Sequence, residues 1–87
     1  MTIYGYLITY SDETDGKEHK CYGLIAAKSR ADAIRDLEDF YDGDYAHIVE
    51  ISLHSVTDNE TPNVMDNYLI HFFVDAAKQN GYEEGEN

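Results

Sequence analysis

Apolar residues fill the first stretch of the chain, and a polar gap separates it from a second apolar stretch. Residues 2 to 10 are mostly β-branched, aromatic or aliphatic, which predicts a strand that is apolar on both faces. The polar segment Ser11 to Glu18 contains Asp-Gly and predicts a long hairpin loop. Residues 19 to 27 then return as a second strand, so we expect the two strands to pair antiparallel.

A helical period follows the second strand. Ser29 is a suitable N-cap, and the apolar residues after it recur at i, i+3, i+4 and i+7, which predicts an amphipathic helix over residues 30 to 41. Gly43 can end this helix in a left-handed conformation. Residues 47 to 56 alternate between apolar and polar, which predicts a third strand in which Val49 belongs to the apolar face.

A second helix is predicted near the end of the chain. Thr61 can cap it, Pro62 suits its first turn, and Gly81 marks its end. Its apolar residues recur at helical spacing, and we expect them to form the stripe that packs on the sheet. These residues are Met65, Tyr68, Leu69, Phe72 and Ala76.

This order of elements predicts an α+β fold. The second and third strands are joined by a helix, so they should be parallel, with the first strand between them. The expected architecture is a small two-layer sandwich of order β-β-α-β-α, in which a three-stranded sheet carries both helices on one face. Residues 1 to 82 would form this single domain, and residues 83 to 87 would form an acidic, disordered tail.

The net charge excludes more classes of function than any sequence motif does. The 87 residues contain 18 acidic and 6 basic side chains, which give a formal net charge of −12. This charge argues against direct binding to nucleic acid or to an anionic membrane, because both require Lys and Arg. The sequence has no long apolar run and no signal-peptide pattern, and its single Cys21 cannot form an intramolecular disulfide. We therefore expect a cytoplasmic protein.

Side chains with catalytic or metal-binding chemistry are few. His19 and Cys21 are the best pair of metal ligands, but two ligands are half a site. The acidic loop does not match a calcium loop, because its first and twelfth positions would be Ser11 and Tyr22. Cys21 lies in an apolar strand, which indicates a buried structural residue. We therefore predict no catalytic residue, no metal and no cofactor. A pocket that joins Cys21, a histidine and a carboxylate would instead favour a small enzyme.

The acidic end of the first helix is the main candidate for function. Five carboxylates stand within nine residues: Asp36, Glu38, Asp39, Asp42 and Asp44. Asp32 extends the row, since Asp32, Asp36 and Asp39 should project from the side opposite the apolar stripe. Most of these carboxylates lie at the helix C-terminus, where the helix dipole disfavours negative charge. Two alternatives stay open, namely a solvated face that keeps the protein soluble and adaptation to high salt.

Tyrosine is the second signal for binding. Eight tyrosines are more than a small core buries, and Tyr41 and Tyr45 lie inside the acidic segment. Tyrosine beside carboxylates suits a partner that presents arginine, because the ring offers rigid area and a cation–π contact. The predicted partner-binding residues are Asp32, Asp36, Glu38, Asp39, Tyr41, Asp42, Asp44 and Tyr45.

In overall character the chain resembles the small acidic inhibitors of bacterial defence that phages and mobile elements encode, such as DNA-mimicking anti-CRISPR proteins. The segment from Asp32 to Asp44 carries this resemblance, together with the global charge. The resemblance implies a non-enzymatic inhibitor whose carboxylates occupy the basic groove of a nucleic-acid-binding protein in the host cytoplasm. One alternative is a small regulatory or structural domain that binds through a tyrosine-rich sheet face, and another is a small enzyme. Formation of a homodimer through uncovered sheet edges is also open.

Overall fold

The computed structural model describes residues 1–85. The elements are β1 (Thr2–Asp12), β2 (Lys17–Ala27), α1 (Arg30–Tyr41), β3 (Ala46–Thr57), α2 (Val64–Gln79) and β4 (Glu83–Glu84). The predicted α+β class is confirmed, and so are the bounds of the first helix. Within the described residues, no helix has both the length and the apolar character needed to cross a lipid bilayer.

β1 lies inside the sheet, as predicted. The strand order is β3-β1-β2-β4, and β1 pairs antiparallel with both β2 and β3. Both strands of the hairpin are longer than predicted, so the turn shrinks to residues 13 to 16. Asp12 stabilises this turn, because its Oδ1 accepts hydrogen bonds from the backbone N–H (2.9 Å) and the hydroxyl (2.6 Å) of Thr14.

The sheet contains a fourth strand that the sequence pattern did not indicate. β4 pairs parallel with residues 21 and 22 of β2, and the backbone N–H of Gly85 donates to the carbonyl of Tyr22 at 2.7 Å. Residues 83 to 85 of the predicted disordered tail are therefore held at the edge of the sheet, while residues 86 and 87 lie outside the described residues. Consecutive glutamates have low strand propensity, so edge pairing sets their conformation.

The two helices lie on opposite faces of the sheet, and not on one face as predicted. Ala33 and Leu37 of α1 pack with Tyr6, whereas Phe73 of α2 lies over Gly5. Neighbouring residues of a strand point to opposite faces, so these contacts mark the two sides. The fourth strand is the reason: the crossover from β2 to β3 runs one way across the sheet and the crossover from β3 to β4 runs back. Two right-handed crossovers in opposite directions require opposite faces.

Two glycines of the sheet admit aromatic rings to these faces. A Cβ atom at Gly5 would lie 2.7 Å from atoms of the Phe73 ring, and a Cβ atom at Gly23 would collide with the Tyr6 ring. Tyr6 is fully buried at the centre of the core between α1 and the sheet. Phe73 of α2 and Tyr6 of β1 therefore pack where a strand lacks a side chain.

α2 packs on the sheet with a different stripe from the predicted one. The stripe that is buried or half-buried consists of Ile70, Phe73, Val74 and Ala77. The residues predicted to be buried are exposed, namely Met65, Tyr68, Leu69, Phe72 and Ala76. Periodicity alone fits either orientation, because both sides of this helix are apolar. The helix also begins later than predicted, since Asn63 and not Thr61 is its N-cap, in a capping box with Asp66.

Three local expectations about the backbone have different outcomes. A β-bulge in the pairing of β1 with β3 lies next to Val49, so this side chain is 59 % exposed instead of belonging to the buried face. Gly43 does not take the left-handed conformation after α1. Gly81 does take it after α2, with φ 85°, as expected for the residue that ends a helix.

Candidate protein-binding surface

α1 presents its polar side to solvent because its apolar side is buried. The hydroxyl of Ser29 caps the helix by accepting a hydrogen bond from the backbone N–H of Asp32 at 3.2 Å. Ala33 and Leu37 are fully buried against the sheet. The other side of the helix therefore points away from the protein, and in its C-terminal half the exposed residues are Asp36, Glu38, Asp39 and Phe40.

The exposed carboxylates form a row along this outer side. Asp36 and Asp39 are exposed one turn apart on α1, Glu38 is exposed on the opposite flank, about 160° around the helix from Asp36, and Asp44 is exposed beyond the helix. Helical geometry places the carboxylates of neighbouring turns about 4.5–6 Å apart along the axis. This spacing is of the same order as that of the phosphates along one DNA strand, whose axial rise is about 3.4 Å.

The two arginines of α1 do not neutralise this row. Arg35 forms an ion pair with Asp32, one turn earlier, and not with Asp39. Arg30 donates from its guanidinium to the backbone carbonyl of Leu53 at 3.2 Å. Among residues 1–85, the exposed carboxylates from position 36 to position 39 therefore have no ion-pair partner.

The row continues onto the turn between β1 and β2 through His47. The Asp42 carboxylate accepts a hydrogen bond from the backbone N–H of Ile48 at 3.3 Å and lies 3.7 Å from Nδ1 of His47. Nε2 of His47 lies 3.1 Å from the Glu13 carboxylate, and the Glu13 N–H donates to the carbonyl of Tyr45 at 2.7 Å. These contacts add Glu13 to the row. We call Glu13, Asp36, Glu38, Asp39, Asp42 and Asp44 the acidic surface.

The two tyrosines that were predicted to bind a partner have different environments. Tyr45 is 67 % exposed beside the acidic surface. Tyr41 is half-buried, and its hydroxyl lies 2.9 Å from that of Tyr6 and contacts the Cys21 thiol. Burial, together with these two neighbours, raises the pKa of Tyr41 well above its usual value. Tyr41 therefore belongs mainly to the core, and Tyr45 is the tyrosine that presents its ring to solvent.

A cleft of about 820 Å³ opens beside the C-terminal end of α1, over β1, β2 and residues 83 to 85. Its lining includes Cys21, His19 and the carboxylates of Asp12 and Glu83, which is the combination that an enzyme would need. Burial raises the pKa of the Cys21 thiol, whereas a cysteine nucleophile needs a lowered one. The His19 ring is hydrogen-bonded through Nε2 to Asp15 at 2.7 Å. The cleft therefore brings these groups together without activating the thiol.

Three side chains near the turn between β1 and β2 are of types that bind divalent metal ions. Among residues 1–85, Asp12, Asp15 and His19 have donor atoms within 4.8 Å of one another. Each carboxylate also has a local role, since Asp12 binds Thr14 and Asp15 accepts from the backbone N–H of Lys17 at 2.8 Å. The Lys17 hydrogen bond, followed by His19, lowers the pKa of Asp15. The turn geometry therefore accounts for this group without a metal.

The tyrosines of the sheet do not form an exposed face. Tyr4, Tyr6 and Tyr22 are at most 7 % exposed, because each face of the sheet carries a helix. In the part of the chain that the structure describes, the tyrosines that are mainly exposed are Tyr45 and Tyr68. The geometry therefore does not favour binding through a tyrosine-rich sheet face.

Most of the predicted partner-binding residues lie on the acidic surface or beside it. Asp32, which pairs with Arg35, and Tyr41, which belongs to the core, are the exceptions. Glu13 is an addition that sequence spacing did not indicate, because only the tertiary fold brings it to the end of α1. No protein-family model matches the chain, and no curated protein and no solved structure is significantly similar to it.

Proposed function

We propose that this protein is a non-enzymatic inhibitor that binds the basic groove of a nucleic-acid-binding protein through its acidic surface. The observation that carries this proposal is the set of exposed carboxylates along α1 that have no ion-pair partner among residues 1–85. A groove lined by Lys and Arg supplies the missing positive charges, and electrostatic attraction speeds the encounter. The resemblance in character favours a bacterial defence protein in the cytoplasm as the partner.

The position of the carboxylates within α1 also supports a binding role. The last turn of the helix contains no basic residue, although cations are the charges that stabilise a helix C-terminus. A helix face that serves only solubility gains stability from alternating Glu and Lys at i, i+4 spacing. α1 instead concentrates one sign of charge where it is least favourable, and a basic partner would compensate this cost.

Tyr45 can add contact area to the charge. Tyr45 follows Asp44 in the sequence, and its ring is exposed. The backbone N–H of Glu13 donates a hydrogen bond to its carbonyl and fixes the backbone there. A rigid ring beside carboxylates can stack on an arginine that approaches the acidic surface. We therefore include Tyr45, and not Tyr41, in the proposed interface.

The test compares two variants that have the same net charge. One removes three carboxylates of the acidic surface by the substitutions Asp36→Asn, Glu38→Gln and Asp39→Asn. The control removes three carboxylates that are exposed elsewhere, by the substitutions Asp58→Asn, Glu60→Gln and Asp75→Asn. Each variant and the wild type are used to capture proteins from a nuclease-treated bacterial lysate, and duplex DNA is then titrated as a competitor.

We expect the wild type and the control to capture a nucleic-acid-binding protein from which duplex DNA displaces them. The acidic-surface variant should bind at least about tenfold more weakly, and wild-type binding should fall steeply as salt rises. An equal loss in both variants would show that net charge alone is responsible. Binding that DNA does not displace would contradict an interaction with a nucleic-acid groove.

A further inference from the structure

The solvent side of α2 carries a continuous apolar stripe. Its members are between 53 and 76 % exposed, and they are Val64, Met65, Tyr68, Leu69 and Phe72. Their spacing of three and four residues places them on one side of the helix. At about 100° per residue, this side lies about 150° from the stripe that packs on the sheet. α2 is therefore apolar on two nearly opposite sides.

A surface helix usually has a single apolar side, which faces the core, so a second apolar side is typical of a helix that packs on both sides. Within residues 1–85 nothing covers the outer side of α2, because α1 lies on the other face of the sheet. A contiguous apolar patch of this kind on a protein surface commonly marks an interface. The five residues of the stripe are uncharged, and the exposed Asp75 follows them on the same side of the helix, so the partner should be apolar where it contacts the stripe.

The stripe is large enough to hold a dimer together. Its five side chains offer on the order of 600 Å², given about 150–250 Å² for a fully exposed large aromatic side chain. Two such stripes placed against each other would bury on the order of 1,200 Å² in total, which reaches the range of specific protein–protein interfaces. Complete burial of both stripes would therefore reach the lower end of this range, and contacts from their neighbours would add to it.

We propose that the chain forms a homodimer in which α2 packs against α2 of a second copy. A two-fold axis near Tyr68 and Leu69 would place Met65 of each copy against the partner's Phe72, because a two-fold contact pairs residues reciprocally. The two helices are then antiparallel. A groove of about 330 Å³ beside Leu69 and Phe72, lined also by Leu7 and Val56, can receive a large side chain of the partner.

The charge of the molecule determines which face can be shared. Two copies that each carry −12 repel one another, but the stripe contains no charged residue and the acidic surface lies on α1, across the sheet. Pairing through α2 therefore turns the two acidic surfaces away from each other. At 0.1 M salt, repulsion between charges more than about 10 Å apart is largely screened. Dimerisation should strengthen as the salt concentration rises. The same negative charge disfavours binding of the stripe to an anionic membrane.

The test measures the mass of the full chain by sedimentation equilibrium, from about 1 to 200 µM protein and at about 0.1 M and 1 M salt. We expect a species of twice 9.9 kDa, with tighter association at the higher salt. Leu69→Glu and Phe72→Glu should each weaken association at least about tenfold. Asn67→Glu is the matched control, because Asn67 is exposed on the same helix outside the stripe, and it should associate as the wild type does.

Circular dichroism establishes that each variant is folded, which we expect because the substituted side chains are exposed in the single chain. A wild type that remains monomeric at about 200 µM in 1 M salt would overturn the proposal. Association that survives both Leu69→Glu and Phe72→Glu would also overturn it, since the dimer would then use another surface. Both outcomes are independent of whether the acidic surface binds a partner.

Discussion

The Tyr41 hydroxyl belongs to a small polar group inside the core. It lies 2.9 Å from the Tyr6 hydroxyl and contacts the Cys21 thiol. Burial is the largest cause that raises the pKa of all three groups. The folded chain therefore retains these three protons at a pH where the unfolded chain releases them.

The protein should lose stability at alkaline pH for this reason. The unfolded chain begins to release protons near the ordinary pKa values of about 8.5 for a thiol and about 10 for a phenol. Above about pH 9 the unfolded chain binds fewer protons than the folded one, so the free energy of unfolding decreases as the pH rises. Tyr41→Phe removes one of the three groups and should flatten this decrease in urea denaturation, whereas Tyr45→Phe should not. Equal slopes for the two variants would assign the effect to other groups.

The end of α1 contains two aspartates whose roles differ. Asp39 is exposed and has no ion-pair partner among residues 1–85, in a last turn without a basic residue. Asp42 is the C-cap residue, and its carboxylate accepts a hydrogen bond from the backbone N–H of Ile48 and lies near His47. The first carboxylate only opposes the helix dipole, whereas the second connects the helix to β3.

Substitution of the two aspartates should change stability in opposite directions. Asp39→Asn should raise the free energy of unfolding by a few tenths of a kcal/mol, because it removes an unfavourable charge from the helix C-terminus. Asp42→Ala should lower it by about 0.5–1.5 kcal/mol, because the hydrogen bond to Ile48 is lost. Urea denaturation at low salt measures both changes. A loss of stability in Asp39→Asn would mean that this carboxylate makes a stabilising contact, which would weaken the argument for a binding role.

Local signals predicted the elements that depend on local sequence. The Ser29 cap and the apolar period that follows it determine α1, and the row of carboxylates from Asp36 to Asp44 could be located from the same helical spacing. The orientation of α2 could not be predicted, because both of its sides are apolar. β4 and the place of Glu13 in the acidic surface depend on pairings between distant segments, for which a single sequence carries no signal.

At the scale of the whole molecule, the net charge of −12 causes repulsion among the carboxylates of the folded protein, and dissolved salt screens this repulsion. The melting temperature at a fixed, low protein concentration should therefore rise between about 10 mM and 0.5 M salt. Removal of the carboxylates at positions 36, 38 and 39 should reduce this salt dependence more than removal of the three at positions 58, 60 and 75. The first group is concentrated along one helix, whereas the second is distributed between a loop and α2. An identical dependence would show that the acidic surface makes no special contribution to the repulsion.

β1 precedes β2 and β3 along the chain, and the sheet is built around it. Its pairing with β3 brings Ile3 opposite Thr57, so one edge of β1 stays unpaired until residues 46 to 57 have been synthesised. Pairing between such distant segments is slow, and an open strand edge that is rich in aromatic and β-branched residues can pair with a neighbouring chain. The nascent chain is therefore most prone to aggregation after the first hairpin has formed and before β3 emerges, which is the interval in which a chaperone would protect it most.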